Sequence, residues 1–315
     1  MVIPVQSPSL PPVALIAGCT ASGKSALALA LAERTGGAIV NADSAQLYRD
    51  LPILSAAPSP ADRARAEHRL YGVRDGAEPC SAAEWAALAK ADIAGLHAQG
   101  RLPILVGGTG LYIRTLIDGI APVPLIAAEV RAAVRGASVG ENLARLVTVD
   151  PVAAASLNPG DTTRIARALE VALSTGRTLK AWQAEPTGGI APSIALKPLI
   201  LLPPRDWLAE RCDRRFAEMV DSGAIGEVEM LAARNLDPQL PVMRAIGVAE
   251  LLALTRGHMS EAQSIAAGQQ ATRRYAKRQY TWFAHQPPPE WPRFTQPLDG
   301  PQAIDAALAL LGIGS

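Results

Sequence analysis

The stretch Gly18-Cys19-Thr20-Ala21-Ser22-Gly23-Lys24-Ser25 decides the fold. It meets the phosphate-loop pattern G-x-x-x-x-G-K-[ST] at every fixed position. Before it, Val13-Ala14-Leu15-Ile16-Ala17 is a short apolar run suited to a buried parallel strand. After it, Ser25 to Arg34 is rich in alanine and leucine and predicts a helix. Glycines let such a loop curl until successive backbone N–H groups point inward, and the following helix adds its positive N-terminal end. The result is a cradle for a phosphate or pyrophosphate. Lys24 brings a charge to the same group, and the Ser25 hydroxyl is what such a loop offers to Mg²⁺. The loop specifies a phosphate but not the molecule that carries it.

Working outward, Gly36-Gly37 stop the first helix and Ala38-Ile39-Val40 reads as a second strand, ending at Asn41-Ala42-Asp43-Ser44. Ligands of open parallel sheets sit beyond the carboxyl ends of the strands, which puts Asp43 on the rim of the phosphate loop. Residues 55 to 80 mix proline, glycine and charge and read as loop with short pieces. Ser81 to Gln99 is a helix capped by Ser81, with Glu84 at capping-box spacing and Gly100 as its stop. Leu102 to Val106 is a further buried strand running into Gly107-Gly108-Thr109-Gly110. Two Pro/Gly-rich breaks, Asp118 to Pro124 and Glu185 to Pro198, enclose a helical stretch with no convincing strand. Within it, Ile165, Leu169 and Leu173 share one helix face, and Arg164 and Arg167 lie near each other on another. Ile194 to Leu202 returns to the sheet, although Pro198 argues against its first half.

The reading is therefore an α/β, P-loop NTPase-like core with a parallel sheet flanked by helices, plus a helical insertion domain. Residues 1–118 are the first part of the core, 119–190 the insertion, and 191–315 the mostly helical remainder.

A chain of 315 residues has ample core for this. A net charge of +1 leaves any polyanion site to local clustering. The three cysteines, Cys19, Cys80 and Cys212, form no C-x-x-C pair, so neither zinc nor a disulfide framework is expected, in keeping with a reducing cytosol. Residues 1–12 hold four prolines and no basic residue and read as a lead-in, not a signal peptide. No apolar run spans a membrane.

Asp43 has three readings by chemistry: the magnesium-holding acid of an NTPase, a general base, or the cap of the stretch that follows. After the Gly107 strand no acid stands where many NTPases carry one. Thr109 could offer a hydroxyl there, and the glycines allow close backbone approach. Arg205, Arg211, Arg214 and Arg215 cluster at the start of a helix. Arg273, Arg274, Lys277 and Arg278 are interleaved with Tyr275, Tyr280, Trp282 and Phe283, which suits phosphate contact and base stacking, or simply a solvated helix face with its aromatics turned inward.

Taken jointly, Gly18 to Ser25, Asn41 to Tyr48, Leu105 to Tyr112, Arg164 to Glu170, Arg244 to Gly247 and Tyr275 to Phe283 resemble the tRNA dimethylallyltransferase (tRNA isopentenyltransferase) family in its bacterial form, over roughly residues 13 to 285. The resemblance implies transfer of a dimethylallyl group from dimethylallyl pyrophosphate to the exocyclic amine of the adenosine 3′-adjacent to the tRNA anticodon. The loop Gly18, Cys19, Thr20, Ala21, Ser22, Gly23, Lys24 and Ser25 would then hold pyrophosphate rather than ATP, with Mg²⁺ on Ser25. By the same resemblance, Asp43 takes the amine proton, and Thr20 and Arg215 contact the leaving pyrophosphate. Positions matching the family's contacts to the anticodon arm are Asp43, Ser44, Ala45 and Gln46; Thr109; Arg131; Thr163, Arg164, Ile165, Ala166 and Arg167. They continue with Arg244, Ala245, Ile246, Gly247, Val248 and Ala249, then Lys277, Arg278, Gln279, Tyr280, Thr281, Trp282, Phe283 and Ala284. A cytoplasmic monomer is expected.

The chain departs from the family pattern at Cys19, where a proline gives way to an oxidisable thiol. Leu54 replaces a glycine, Ala57 a lysine, and Val248 a tyrosine that could stack. Two other classes compete. A P-loop small-molecule or nucleotide kinase calls for ATP turnover and a base pocket. A non-catalytic RNA-binding module needs neither Thr20 nor Asp43 on the phosphate rim.

Overall fold

A computed structural model describes residues 10–313. The proline-rich lead-in falls mostly outside them. The chain runs β1 (Pro12–Gly18), α1 (Lys24–Thr35), β2 (Ala38–Asn41), α2 (Pro60–Arg65), β3 (Glu67–Arg69), α3 (Ala82–Ala98), β4 (Pro103–Gly107) and α4 (Gly110–Ile117). There follow β5 (Gly119–Ile120), α5 (Ala128–Gly136), α6 (Val139–Val149), α7 (Pro151–Ser156), α8 (Thr162–Thr175), α9 (Leu179–Gln183) and β6 (Thr187–Gly188). The last part is β7 (Ala195–Leu201), α10 (Arg205–Asp221), α11 (Ala224–Ala233), α12 (Val248–Thr255), α13 (Glu261–His285), β8 (Arg293–Phe294) and α14 (Pro301–Ala309). Two compact units result: the described residues of 1–115 with those of 191–315, and Leu116–Ile190.

The first unit is built on a six-stranded sheet in the order β3-β2-β4-β1-β7-β8, with every pairing parallel. β1 is enclosed along six of its seven residues because helices cover both faces, so its run is apolar throughout rather than alternating. Leu27 and Leu31 of α1 pack with Ile16, Ile39 and Ile104 in one core. From β1 the chain leaves toward β2, returns to β4 beside β1, and crosses to β7 on the other side. Strand order therefore reverses at β1, and the carboxyl ends there form the crevice where such sheets bind ligands. The P-loop, Asp43, and Gly107 to Gly110 all leave the sheet at that end.

Pro198 is tolerated for a local reason. Among the described residues β8 pairs with Ile200 and Leu201 alone, which leaves the first half of β7 without a strand on that side, and proline removes no rung there. The expected helix at 81–99 is α3, with Ser81 and Glu84 in a capping box. β3 lies in the stretch read as loop, and β8 is two residues long; neither leaves a period in the sequence.

The second unit packs α5, α6 and α8 around Val134, Leu146, Ile165, Ala168 and Leu169. Glu170 is buried there and accepts Arg135 Nε at 2.6 Å. Between the two breaks the described residues are helical, as expected, and the strand pairing lies in the breaks themselves. Gly119 pairs with Gly188 and Ile120 with Thr187 in an antiparallel clasp, and Ile190 N donates to Leu116 O at 3.0 Å. The two Pro/Gly breaks are thus hydrogen-bonded to each other. A two-residue pairing of this kind joins residues far apart in the chain and is invisible to periodicity.

Candidate active site

The P-loop leaves β1 with Ala21 and Gly23 in the left-handed region (φ 61° and 95°). At Gly23 this backbone costs little and turns the chain into α1; at Ala21 it is strained. Arg211 of α10 supports the strained residue, donating from Nε to Ala21 O at 2.9 Å while its guanidinium stacks over Trp207 at 4.6 Å. Lys24 Nζ donates to Cys19 O at 2.5 Å. Burial pushes the Lys24 ammonium down to about 8; the Asp43 carboxylate is the strongest charge working against that, and Arg215 works with it. Loop residues 21–26, Arg211, Arg214 and Arg215 line a cavity of about 320 Å³. Its single carboxylate, Glu218, pairs with Arg214 at 3.8 Å. The Ser22 hydroxyl is buried here with no hydrogen-bond partner among the described residues.

Asp43 sits on a rigid mount. Asn41, wholly buried at the end of β2, accepts Asp43 N–H on Oδ1 at 2.7 Å, and its Nδ2 donates to Asp43 O at 2.9 Å and Leu70 O at 3.0 Å. Trp85 Nε1 donates to Asn41 O at 2.9 Å, and its ring stacks on Tyr112 with centroids 4.6 Å apart. Asp43 Oδ1 accepts the Ala45 N–H at 3.0 Å, so the capping reading is correct for one oxygen. Across the rim, Thr109 Oγ1 accepts Ser44 N–H at 3.0 Å, and Thr109 N donates to Ala42 O at 3.3 Å. The ends of β2 and β4 are thereby joined.

A second cavity of about 240 Å³ opens beside the first. Thr20, Asp43, Ser44, Arg215 and Arg244 are among its polar lining, and Leu51, Leu54, Phe216, Met219, Val242 and Ile246 make up most of its apolar wall. Arg215 lines both cavities. Burial lowers its pKa, and Asp43 is the main charge opposing the fall.

Leu54, one of the departures noted above, is thus a wall of this cavity. Its loop is held by Glu227 of α11, a buried carboxylate accepting Ile53 N–H at 2.6 Å and Leu54 N–H at 2.9 Å. Burial raises the Glu227 pKa against those two bonds. Glu227→Ala strands both amides and should cost about 2–4 kcal/mol in urea unfolding. A loss under about 0.5 kcal/mol would mean that water replaces the carboxylate.

The sequence-derived contact positions divide between the two units. Arg131, Thr163 and Arg164 are exposed on α5 and α8, and Arg167 is half-buried, whereas the Ile165 and Ala166 side chains are enclosed in that unit's core. In the first unit Arg244, Ala249, Lys277, Arg278 and Thr281 are exposed; Ala245 and Ile246 line the apolar cavity; Val248, Gln279 and Phe283 are enclosed. Gln46 spends its amide on Ser55 O and Ala56 O, at 3.1 and 2.7 Å. Ser44 and Ala45 line the cavity; Gly247 caps α12; Trp282 packs edge-on against Phe283 at 4.8 Å; Ala284 is half-buried. Tyr280 lies under the Arg205 guanidinium at 4.6 Å. The basic run of α13 is no uniform solvated face either, because Arg273 pairs with Asp213 of α10.

One expectation is corrected. Cys19 is not an accessible reactive thiol: its side chain is wholly enclosed, and burial pushes its pKa up to about 11, which disfavours the thiolate at neutral pH. Val248 is wholly enclosed as well, so the side chain at that position packs inside the unit. Sequence reasoning missed Asn41 and Glu227. The available signals were a polar residue ending an apolar strand and an acid on the apolar face of a helix.

A parallel sheet reversing at β1, with a phosphate loop and a carboxylate on one rim, defines a P-loop NTPase-like protein with an apolar second cavity. The chain belongs to the IPP transferase family, whose model matches residues 46–286. It is 59% identical over 287 residues to a tRNA dimethylallyltransferase of Sphingopyxis alaskensis, covering 91% of this chain and 94% of that one. Among solved structures it resembles the tRNA isopentenylpyrophosphate transferase of Bacillus halodurans, with a TM-score of 0.69 at 30% identity over 96% of this chain and 97% of that chain. It also resembles a eukaryotic dimethylallyltransferase seen acting on tRNA, with a TM-score of 0.74 at 27% identity over 86% of this chain and 69% of that chain. Among the described residues no helix is long and apolar enough to cross a membrane.

Proposed function

We propose that this protein transfers a dimethylallyl group from dimethylallyl pyrophosphate to the exocyclic amine of the adenosine 3′-adjacent to a tRNA anticodon. The observation that carries the reading is the shared wall. Arg215 borders both the polar P-loop cavity and the apolar one, and Thr20 and Asp43 face the apolar side. A pyrophosphate bearing a short apolar tail matches that division. Its phosphates meet the loop amides and Lys24, its tail meets Leu51, Leu54 and Phe216, and the bond between them lies at the join.

The amine nitrogen attacks C1 of the allyl group. The C1–O bond breaks, its electron pair leaves on pyrophosphate, and the amine proton passes to the Asp43 carboxylate. Lys24, Arg215 and the loop amides stabilise the charge that grows on the leaving oxygen. Ser25 is the residue that would hold a magnesium ion with the pyrophosphate, where it neutralises charge; with Glu218 engaged by Arg214, the remaining ligands would be phosphate oxygens and water. Exposed Arg131, Arg164, Arg244, Lys277 and Arg278 supply phosphate contacts for an RNA whose target base leaves its stack.

The test supplies purified protein with tRNA and either allyl-labelled dimethylallyl pyrophosphate or γ-labelled ATP. Allyl label should enter RNA with release of pyrophosphate, and none should enter a tRNA carrying guanosine at that position. Transfer of the ATP phosphate in place of allyl would make the protein a kinase. RNA binding with no transfer of either label would make it a binding module.

A further inference from the structure

Gln279 matches a tRNA-contacting position of the family, yet its side chain is only 6% exposed. Both ends of its amide are engaged inside the first unit. Oε1 accepts the Thr20 N–H at 2.7 Å and Nε2 donates to Gly108 O at 2.9 Å. The Tyr275 hydroxyl, one turn earlier on α13, lies beside Gln279 and Thr109.

The bridge has a clear place in the backbone. The β1–β4 ladder ends at Ala17 opposite Gly107. Beyond it the P-loop and the Gly108 turn diverge, and the Gln279 amide spans the gap as one further rung. Gly108 must be glycine for this, because a Cβ there would collide with Gln279 Nε2. A side chain so enclosed, with both ends of its amide engaged by the protein backbone, is placed to hold the loop and not to face an RNA surface. It fixes the backbone of Thr20, whose side chain shares the cavity with Asp43.

We infer that Gln279 is a positioning residue for the transfer step: its amide locks Thr20 against the Gly108 turn and aims the Thr20 hydroxyl into the cavity shared with Asp43. The inference rests on the proposed transfer reaction.

The experiment is a double-mutant cycle between Gln279→Met and Thr20→Ala, read by single-turnover allyl transfer at saturating substrates and by tRNA affinity across a salt series. Wild-type protein is assayed first, since a wild type that transfers nothing defeats the proposed reaction and not this assignment. With an active wild type, Gln279→Met should slow transfer about 10–100-fold, the scale of a misplaced reacting group. Its tRNA affinity and salt slope should stay within about twofold of wild type. In the Thr20→Ala background the same change should cost less than about threefold, because the group it positions is gone.

Gly108→Ala displaces the amide without altering Gln279 and should reproduce the loss; it replaces Gln279→Met in the cycle if that variant melts more than a few degrees lower. Transfer at the wild-type rate overturns the assignment. So does a loss undiminished in Thr20→Ala, or a fall in RNA affinity accompanied by a flatter salt slope.

Discussion

Replacing Asp43 with asparagine should slow single-turnover transfer by about 10²–10⁴-fold, the span for loss of a proton-accepting group. The side chain keeps its shape and one oxygen to cap Ala45 N–H, so the Asn41 mount survives and the loss is chemical, not structural. In mildly acidic buffer the affinity for dimethylallyl pyrophosphate should stay within about threefold, because Asp43 lines the apolar cavity and not the P-loop one. Asp43 is the main charge resisting the fall of the Lys24 pKa, so in Asp43→Asn the pH at which pyrophosphate binding fails should move down. Wild-type transfer by Asp43→Asn at saturating tRNA would remove Asp43 from the chemistry. An unmoved pH dependence would remove its link to Lys24.

The second large effect belongs to Lys24. Its pKa in the free protein lies near 8, below the ordinary lysine value. Below pH 8 the free protein already carries the ammonium that meets pyrophosphate; above 8 binding must first take up a proton to make that contact. The affinity of wild type relative to Lys24→Met should therefore be greatest in mildly acidic buffer and fall by up to about tenfold per pH unit above 8. At pH 7 Lys24→Met should bind pyrophosphate about 10–100-fold more weakly, as for loss of a hydrogen bond to a charged group. Transfer should slow by a further 10²-fold or so, because the charge on the leaving oxygen is largest in the transition state. Calorimetric titration with inorganic pyrophosphate across pH 6.5 to 9.5 checks the first part. Parallel pH curves for wild type and Lys24→Met would refute it.

What could be read from the chain and what could not follow the distances over which contacts form. The P-loop, the caps of α3 and the placement of Asp43 at the end of β2 depend on residues within a few positions of one another, and local patterns report them. The mount of Asp43 does not, since Asn41 is held by Trp85, 44 residues away. Glu227 reaches its loop across 173 and 174 residues, and Gln279 reaches Thr20 across 259. Such partners are chosen by packing, and a single sequence carries no periodic trace of them. The same holds for Cys19. Its chemistry read as a reactive thiol from residue type, and only its enclosure makes it an inert one. Family resemblance gave Gln279 as a tRNA contact, whereas its amide is bonded to Thr20 N–H and Gly108 O.

The clasp formed by β5 and β6 has a consequence for how this chain tolerates change. Leu116 and Ile190 are hydrogen-bonded neighbours, so everything between them enters and leaves through a single doorway one strand pair wide. Closing that gap asks nothing of the six-stranded sheet, whose strands all lie outside 116–190. The loop that leaves and re-enters at the clasp is closed by its own backbone pairs, and longer connections within it cost little in closure entropy. The register of the six strands is set entirely by residues outside that loop.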